Sequence, residues 1–191
     1  HMTTQTFTFA GDRVALIVRG KTSHAHEPGV FEQHADCILS NGAPIGFFGE
    51  GNDGSGNSSG MGMSGIVYDY SALSRKRAPY IDAGIARSMA VISTVLFVPV
   101  SSVEAKKFDQ AWTDMTSDAG SFHILGWNCA THACSAFQQA GILAGGIPGL
   151  DTPNNLYRQL CVEKAGKVSV ISGYIGFSAF GTGYMLTVDV P

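Results

Sequence analysis

The chain has 191 residues, of which 45% are hydrophobic and only 14% charged, with a formal net charge of -3. This composition excludes an intrinsically disordered chain, and the slight acidity provides no basic surface for binding nucleic acid. We interpret residues 1–2 as a cloning remnant and expect residues 3–191 to form a single domain, in keeping with the length.

The amino-terminal half predicts an antiparallel sheet. The runs that are typical of strands, either alternating or continuously apolar, are residues 4–9, 13–19, 34–39, 45–48 and 66–70. Between two of these runs, Asn41-Gly42 is a strong signal for a hairpin turn. Residues 49–65 are rich in glycine, serine and asparagine, which predicts a flexible surface loop.

The second half mixes strands with helices. Residues 89–100 predict a central strand, and residues 122–126 a short extended segment, while residues 83–89 are ambiguous. The predicted helices cover 102–117, 128–140 and 154–161, with Ser102 as the first cap, Gly141 ending the second helix and Thr152-Pro153 starting the third. Residues 167–171, 174–180 and 184–190 predict closing strands. We therefore predict an α+β fold, a mostly antiparallel sheet packed with helices.

Neither a secretory signal nor a membrane span is predicted. The amino terminus has no basic start followed by an apolar run, and the longest apolar stretch, residues 89–100, is shorter than the ~20 residues that cross a bilayer. We expect a protein that is made in the cytoplasm and has no transmembrane segment. Export by a machine that reads no amino-terminal signal remains compatible with this sequence.

Cys129 is the best candidate for a nucleophile. It follows Asn128 at the predicted start of a helix, where unpaired N–H groups and the helix dipole favour a thiolate and can hold an oxyanion. The alternative is that Cys129 is a small buried residue, as most cysteines are. The spacing of the four cysteines matches no zinc pattern, so we predict no metal and no cofactor.

A thiolate nucleophile usually needs a histidine partner. His34 is favoured because it begins a strand, where a rigid backbone would fix the distance to the thiol. His24 and His26, in the preceding loop, remain alternatives. His132 is expected to cover the surface of its helix, and His123 is separated from Cys129 by a turn.

Two carboxylates could orient the histidine. A two-residue turn at Asn41-Gly42 would place Gly49 opposite His34, and a three-residue loop would place Glu50 there. Asp36 is the other candidate, because residues two apart on a strand share a face. The sequence leaves this choice open.

The strand at 13–19, the strand that begins with His34 and leads through a glycine turn to residue 48, and the Asn-Cys helix at 128–142 resemble a known family. They look like the NlpC-type cysteine peptidases, which are papain-like, in their circularly permuted form, shared by lecithin:retinol acyltransferase-like proteins. The resemblance implies that Cys129 is the nucleophile, His34 the base and Asn128 a neighbour of the oxyanion. The family's polar third residue would fall at 46–48, where this chain has none.

Residues 152–160, together with the small size and the missing signal, also resemble type VI secretion effectors that cut peptidoglycan peptides. This likeness implies an antibacterial amidase or endopeptidase that acts in the periplasm of a target cell. It also implies two partners, an immunity protein and a component of the secretion apparatus. The alternatives are a lipid acyl hydrolase or acyltransferase and a catalytically inactive binding module.

Overall fold

A computed structural model describes residues 2–50, 63–118, 121–122, 128–145 and 152–191. These residues form strands β1 (Thr3–Phe7), β2 (Arg13–Arg19), β3 (His34–Ile38), β4 (Pro44–Glu50), β5 (Met63–Tyr68), β6 (Ser93–Pro99), β7 (Ser121–Phe122), β8 (Ser169–Phe180) and β9 (Gly183–Val190). The helices are α1 (Tyr70–Lys76), α2 (Ala83–Ser88), α3 (Ser102–Ser117), α4 (Cys129–Gln139) and α5 (Pro153–Glu163), with a 3-10 turn at Ala78–Tyr80. The predicted α+β class with an antiparallel sheet is confirmed.

The strand order is β1-β9-β8-β6-β2-β3-β4-β5-β7, and neighbouring strands are antiparallel throughout. The middle strand, β2, is apolar on both faces, because Leu16 and Val18 belong to one core and Ala15 and Ile17 to another. A strand that is buried on both faces of a sheet needs apolar residues at successive positions rather than at alternate ones. The sequence of β2 therefore reflects its central position.

Helices α3, α4 and α5 cover one face of the sheet. Phe108 and Trp112 of α3 and Phe137 of α4 are wholly buried in the core on this side. The other face is covered by α1 and by the β8–β9 hairpin, which contributes Ile175 and Leu186 to the second core. The catalytic candidates lie where β3 and α4 both begin, so each is held by a regular element.

One long strand, β8, replaces the two strands that the sequence predicted. Its first part pairs with β6 as far as Gly173, and its second part pairs with β9 from Tyr174. A side chain at Gly173 would meet the backbone of Asp189, with Cβ 3.0 Å from the carbonyl carbon. Gly173, which lies between the two predicted strands, is thus the point where β8 passes from one partner to the other, and its missing side chain permits the close approach.

The β3–β4 hairpin also differs from prediction. Its loop is residues 40–42, where the Leu39 N–H donates to Ala43 O at 2.8 Å and Gly42 N–H to Leu39 O at 2.9 Å. Gly42 has a φ of 90°, as expected for a three-residue hairpin loop that ends in a left-handed glycine. The loop has the three residues of the second alternative, but it includes residue 40, so the register shifts and neither Gly49 nor Glu50 lies opposite His34.

Several smaller boundaries are corrected. The strand predicted at 66–70 ends at Tyr68, and Asp69 caps a helix that the sequence did not predict. The ambiguous segment 83–89 forms α2. Ser101, rather than Ser102, caps α3 through a capping box with Glu104.

Two predictions fall partly outside the described residues. The predicted loop at 49–65 begins inside β4 and ends inside β5, and residues 51–62 between them are not described. The extended segment predicted at 122–126 overlaps β7 at Phe122, and residues 123–127 lie outside the described ranges. The prediction of a flexible loop therefore stays a prediction.

Candidate active site

Asn128 caps helix α4 and thereby places Cys129 at its first position. The Asn128 Oδ1 accepts hydrogen bonds from the N–H groups of Ala130 at 2.9 Å and Thr131 at 3.1 Å. In return, the Asn128 N–H donates to Thr131 Oγ1 at 2.7 Å. The sequence suggested that several N–H groups of this turn could hold an oxyanion. The cap takes two of them, so in the described structure the Cys129 N–H is the first-turn donor left for that role.

Removing this cap is expected to destabilise the protein. Asn128→Ala leaves two first-turn N–H groups without their acceptor and should lower the free energy of unfolding by about 1 kcal/mol. Urea unfolding of the wild type and the variant measures this change. Asn128→Asp is the matched control, because aspartate caps as well as asparagine and should keep the wild-type midpoint. Equal midpoints for wild type and Asn128→Ala would contradict the capping role.

The structure brings Cys129 and His34 together, as the sequence predicted. The Cys129 side chain accepts a hydrogen bond from the Ala35 N–H, with 3.4 Å between nitrogen and Sγ. The Cys129 side chain is close enough to His34 to help raise the His34 pKa. Both residues line one cleft of about 590 Å³. The strand that carries the histidine therefore contributes a backbone donor to the thiol as well.

Asp36 is the carboxylate that binds the histidine. Its Oδ1 lies 2.6 Å from His34 Nε2, which leaves Nδ1 as the ring nitrogen that can exchange a proton with the thiol. Its Oδ2 accepts a hydrogen bond from Arg19 Nε at 2.7 Å. Asp36 is 0% exposed and Arg19 2% exposed, so the pair is isolated from solvent. A buried carboxylate with two charge-assisted hydrogen bonds has little freedom to move.

Arg19 was not recognised as a functional residue in the sequence. It ends β2 and lies directly opposite His34 in the register with β3. Its guanidinium lies 4.0 Å from the Tyr80 ring centre, and Nη2 donates to Tyr80 O at 3.2 Å. The one available signal was a charge at the end of an apolar strand, which is usually a solvated residue. Only the strand pairing shows that Arg19 neutralises Asp36.

The charges of this cluster shift two pKa values in opposite directions. Burial disfavours the charged form of His34, but the charges of Asp36 and Cys129 and the hydrogen bonds to both outweigh it and hold the His34 pKa well above its usual range. Burial likewise opposes ionisation of Asp36, yet His34 and Arg19 together lower the pKa of that carboxyl. The arrangement favours a protonated imidazole beside an ionised carboxylate.

Glu50, the other predicted orienter, is placed elsewhere. Its carboxylate accepts a hydrogen bond from the Tyr68 hydroxyl and forms an ion pair with Lys76 at 3.1 Å. The hydrogen bond from Tyr68 is the main cause that lowers the Glu50 pKa. No contact within the described residues joins Glu50 to His34. The orienting contact that the structure shows is therefore the one from Asp36.

The other candidate histidines have separate contacts. His24 Nδ1 lies 2.6 Å from the Tyr157 hydroxyl, and His26 Nδ1 accepts a hydrogen bond from the Thr22 N–H at 3.0 Å. Neither lines the cleft that contains the thiol. The two loop histidines thus make contacts outside the cleft, and the structure does not bring them to Cys129.

His132 does not cover the helix surface, as the sequence had suggested. It is 2% exposed, and its ring stacks on Phe47 with 3.5 Å between ring centres. Its Nδ1 lies 3.0 Å from Asn128 O. It therefore packs α4 against β4. His123 lies outside the described ranges.

Aromatic rings fix the plane of the His34 imidazole. The His34 ring stacks on Phe48 at 4.5 Å and on Tyr80 at 5.7 Å between ring centres. Continuing the strand register also places Phe48 opposite His34. With one ring nitrogen bound to Asp36 and two aromatic rings stacked against it, the imidazole is held in one orientation before any substrate binds.

One wall of the cleft is the loop of residues 20–33, which is tied to α5. Lys21, only 2% exposed, donates to Asn154 Oδ1 at 2.7 Å and to His26 O, and its ammonium lies 4.6 Å from the Tyr157 ring centre. The Asn154 N–H donates to Gln33 Oε1 at 2.7 Å. Burial, followed by the charge of Arg158, lowers the Lys21 pKa. These contacts order the wall through buried polar groups.

Comparison with known proteins leaves the family unassigned. Neither a protein-family model, nor a curated protein, nor a solved structure matches this chain. The resemblance to NlpC-type peptidases therefore stays a prediction. Among the described residues, no helix is both long enough and apolar enough to cross a membrane.

Proposed function

We propose that this protein is a cysteine hydrolase in which Cys129 is the nucleophile, His34 the acid–base group and Asp36 the orienting acid. One observation carries the proposal: a cysteine at a helix start lines the same cleft as a histidine whose Nε2 is bound, at 2.6 Å, by a buried carboxylate. Nucleophile, base and orienter in this order form the constellation that activates a thiol for acyl transfer. Its position in an open cleft gives a substrate access.

The proposed reaction proceeds through a thioester. The Cys129 thiolate attacks the carbonyl carbon of an amide, and the Cys129 N–H donates to the oxyanion that develops. His34 gives its proton to the departing amine as the C–N bond breaks. His34 then takes a proton from water, which attacks the thioester and releases the acid. Asp36 keeps the ring oriented through both steps, and the sulfur leaves as the thiolate with which the cycle began.

We propose peptide stems of bacterial peptidoglycan as the substrate class. The support is the resemblance of the histidine strand and the Asn-Cys helix to NlpC-type peptidases and to secreted peptidoglycan-cutting effectors. On this proposal the papain-like protein is an antibacterial toxin that is exported and acts in the periplasm of a target cell. An immunity protein covering the cleft and a component of the secretion apparatus are its proposed partners.

A second candidate is the hydrolysis or transfer of lipid acyl groups by the same triad. The observation that favours it is the apolar rim of the cleft, where Val30 is 62% and Phe31 78% exposed. Exposed apolar side chains beside a catalytic group are suited to contact an acyl chain. A peptide substrate could use the same rim, so the two candidates require a direct comparison.

Digestion of purified peptidoglycan tests the proposal. Wild type, Cys129→Ala and His34→Ala are incubated with peptidoglycan sacculi and, separately, with phospholipid vesicles, and the products are analysed by mass spectrometry. We expect new peptide ends from wild type only. Release of fatty acid from the vesicles, with intact sacculi, would favour the second candidate. Cleavage of neither substrate would leave the inactive binding module as the better hypothesis.

A further inference from the structure

Gly46 faces the orienting carboxylate across two paired strands. It lies opposite Asp36 in the register of β3 and β4. An ideal Cβ on Gly46 would be 2.8 Å from Asp36 Cγ and closer still to Oδ1, the oxygen that binds His34. The carboxylate thus occupies the volume that any side chain at position 46 would need.

We propose that Gly46 is a positioning residue: its missing side chain leaves the space in which the Asp36 carboxylate lies against His34. The catalytic consequence rests on the function proposed above. The position of Asp36 and the protonation of His34 do not depend on that function.

Backbone conformation does not explain this glycine. Gly46 lies within a regular strand and is not among the glycines with positive φ, such as Gly42. Glycine within a strand costs about 0.5–1 kcal/mol relative to alanine, because it loses more conformational freedom on folding. Room for the neighbouring carboxylate is therefore the physical reason that the structure offers for its presence.

The surroundings of Asp36 leave its carboxylate no alternative position. Its Oδ2 is held by Arg19 at 2.7 Å, and the side chain is 0% exposed. A methyl group at position 46 would displace Oδ1 and break its contact with the imidazole. His34 would then lose the hydrogen bond to Asp36 and part of the attraction to its charge, which raise the His34 pKa, while the burial that lowers that pKa would remain. The expected change is a fall in the His34 pKa.

The test is Gly46→Ala, with the His34 pKa measured by NMR titration of the ring protons. We expect the pKa to fall by at least about one unit, and alkylation of Cys129 by iodoacetamide at pH ~6.5 to slow about tenfold. Mass spectrometry of the modified peptides separates Cys129 from the partly exposed Cys161. Gly176→Ala is the control: it lies in β8, its Cβ would approach Ala83 N at 2.9 Å, and it should leave both measurements unchanged.

A second background keeps the test decisive if Gly46→Ala does not fold. Arg19→Met/Asp36→Ala removes the carboxylate together with its buried partner, because removing only one of them would leave an unpaired charge. Adding Gly46→Ala to that background should lower the thermal midpoint much less than in wild type, since the tightest remaining contact is Phe48 Cε1 at 3.2 Å, which must yield only slightly. The coupling between positions 36 and 46 then appears as non-additivity.

Two results would overturn the proposal. One is a wild-type His34 pKa in folded Gly46→Ala. The other is an equal loss of stability from Gly46→Ala in the wild-type and the double-variant backgrounds. Neither readout needs a substrate. If wild type cleaves nothing, the proposed function fails while the seating of Asp36 by Gly46 is still measured.

Discussion

Cys129→Ala is expected to abolish the proposed hydrolysis, with kcat reduced roughly 10⁴–10⁶-fold, because the proposed acyl intermediate forms on the Cys129 thiol. The fold should persist, because alanine is a good helix former and the cap from Asn128 does not involve the thiol. Circular dichroism and kcat on the substrate identified by digestion measure the two effects. The size of the expected loss makes this the strongest single test of the nucleophile.

Cys134→Ala provides the matched control. It lies on the same helix, is 2% exposed, and packs in the core with Phe137 rather than in the cleft. We expect it to keep wild-type kcat with a modest loss of stability, since it removes only a small buried group. Equal activity of wild type and Cys129→Ala would place the nucleophile elsewhere, whatever the result for Cys134.

The second large effect is expected for Asp36→Asn. The amide keeps the shape of the side chain but removes the charge that fixes the tautomer of His34. A loss of as much as about 10⁴ in kcat is known for the same change in a serine triad. Glu50→Gln is the control, because Glu50 contacts Tyr68 and Lys76 instead, and it should keep activity within a few-fold. The opposite ranking of the two variants would make Glu50 the orienter.

Asp36→Asn should also change the pH dependence of stability. Asp36 has a folded pKa below its ordinary value of 3.8, so its contribution is present above that pH and is lost as pH falls through the folded pKa. His34 has a folded pKa above 6.5, so its contribution is present below pH 6.5 and is lost as pH rises through the folded pKa. The difference in the free energy of unfolding between wild type and Asp36→Asn should therefore be largest between pH 3.8 and pH 6.5.

Urea unfolding at a series of pH values measures that difference. The pH at which kcat/KM falls on the alkaline side should be lower in Asp36→Asn than in wild type. The reason is that His34 must be protonated to release the leaving amine. A difference in stability that does not vary with pH would show that the Asp36 charge is not coupled to folding through His34.

The two ends of the catalytic constellation were predictable because their signals are local. An Asn-Cys pair before an apolar-faced helix indicates a capped cysteine, and the alternation that begins at residue 34 indicates a strand with a histidine at its start. Both features depend on residues within a few positions of one another. The structure brings Cys129 and His34 together as those signals suggested.

The choice of the orienting acid was not predictable in the same way, because it depends on register. The hairpin signal is Asn41-Gly42, but the loop also includes Ser40, and one residue of slip changes which residue faces each position of β3. Arg19 lies on a third strand, so its contact with Asp36 could not be predicted from the sequence either. Contacts between strands require the pairing that only the folded sheet shows.

The close approach of residues 36 and 46 also restricts how this site can change by mutation. A side chain at position 46 is incompatible with the present seat of Asp36, and loss of Asp36 leaves Arg19 buried without its partner. Moving the acid from position 36 on β3 to position 46 on β4 requires two substitutions. Whichever came first, the intermediate would have no carboxylate placed to orient His34. In the reverse direction, aspartate at position 36 fits its present place only when position 46 is glycine. The order in which the two positions can change is thus constrained by a few ångströms between two strands.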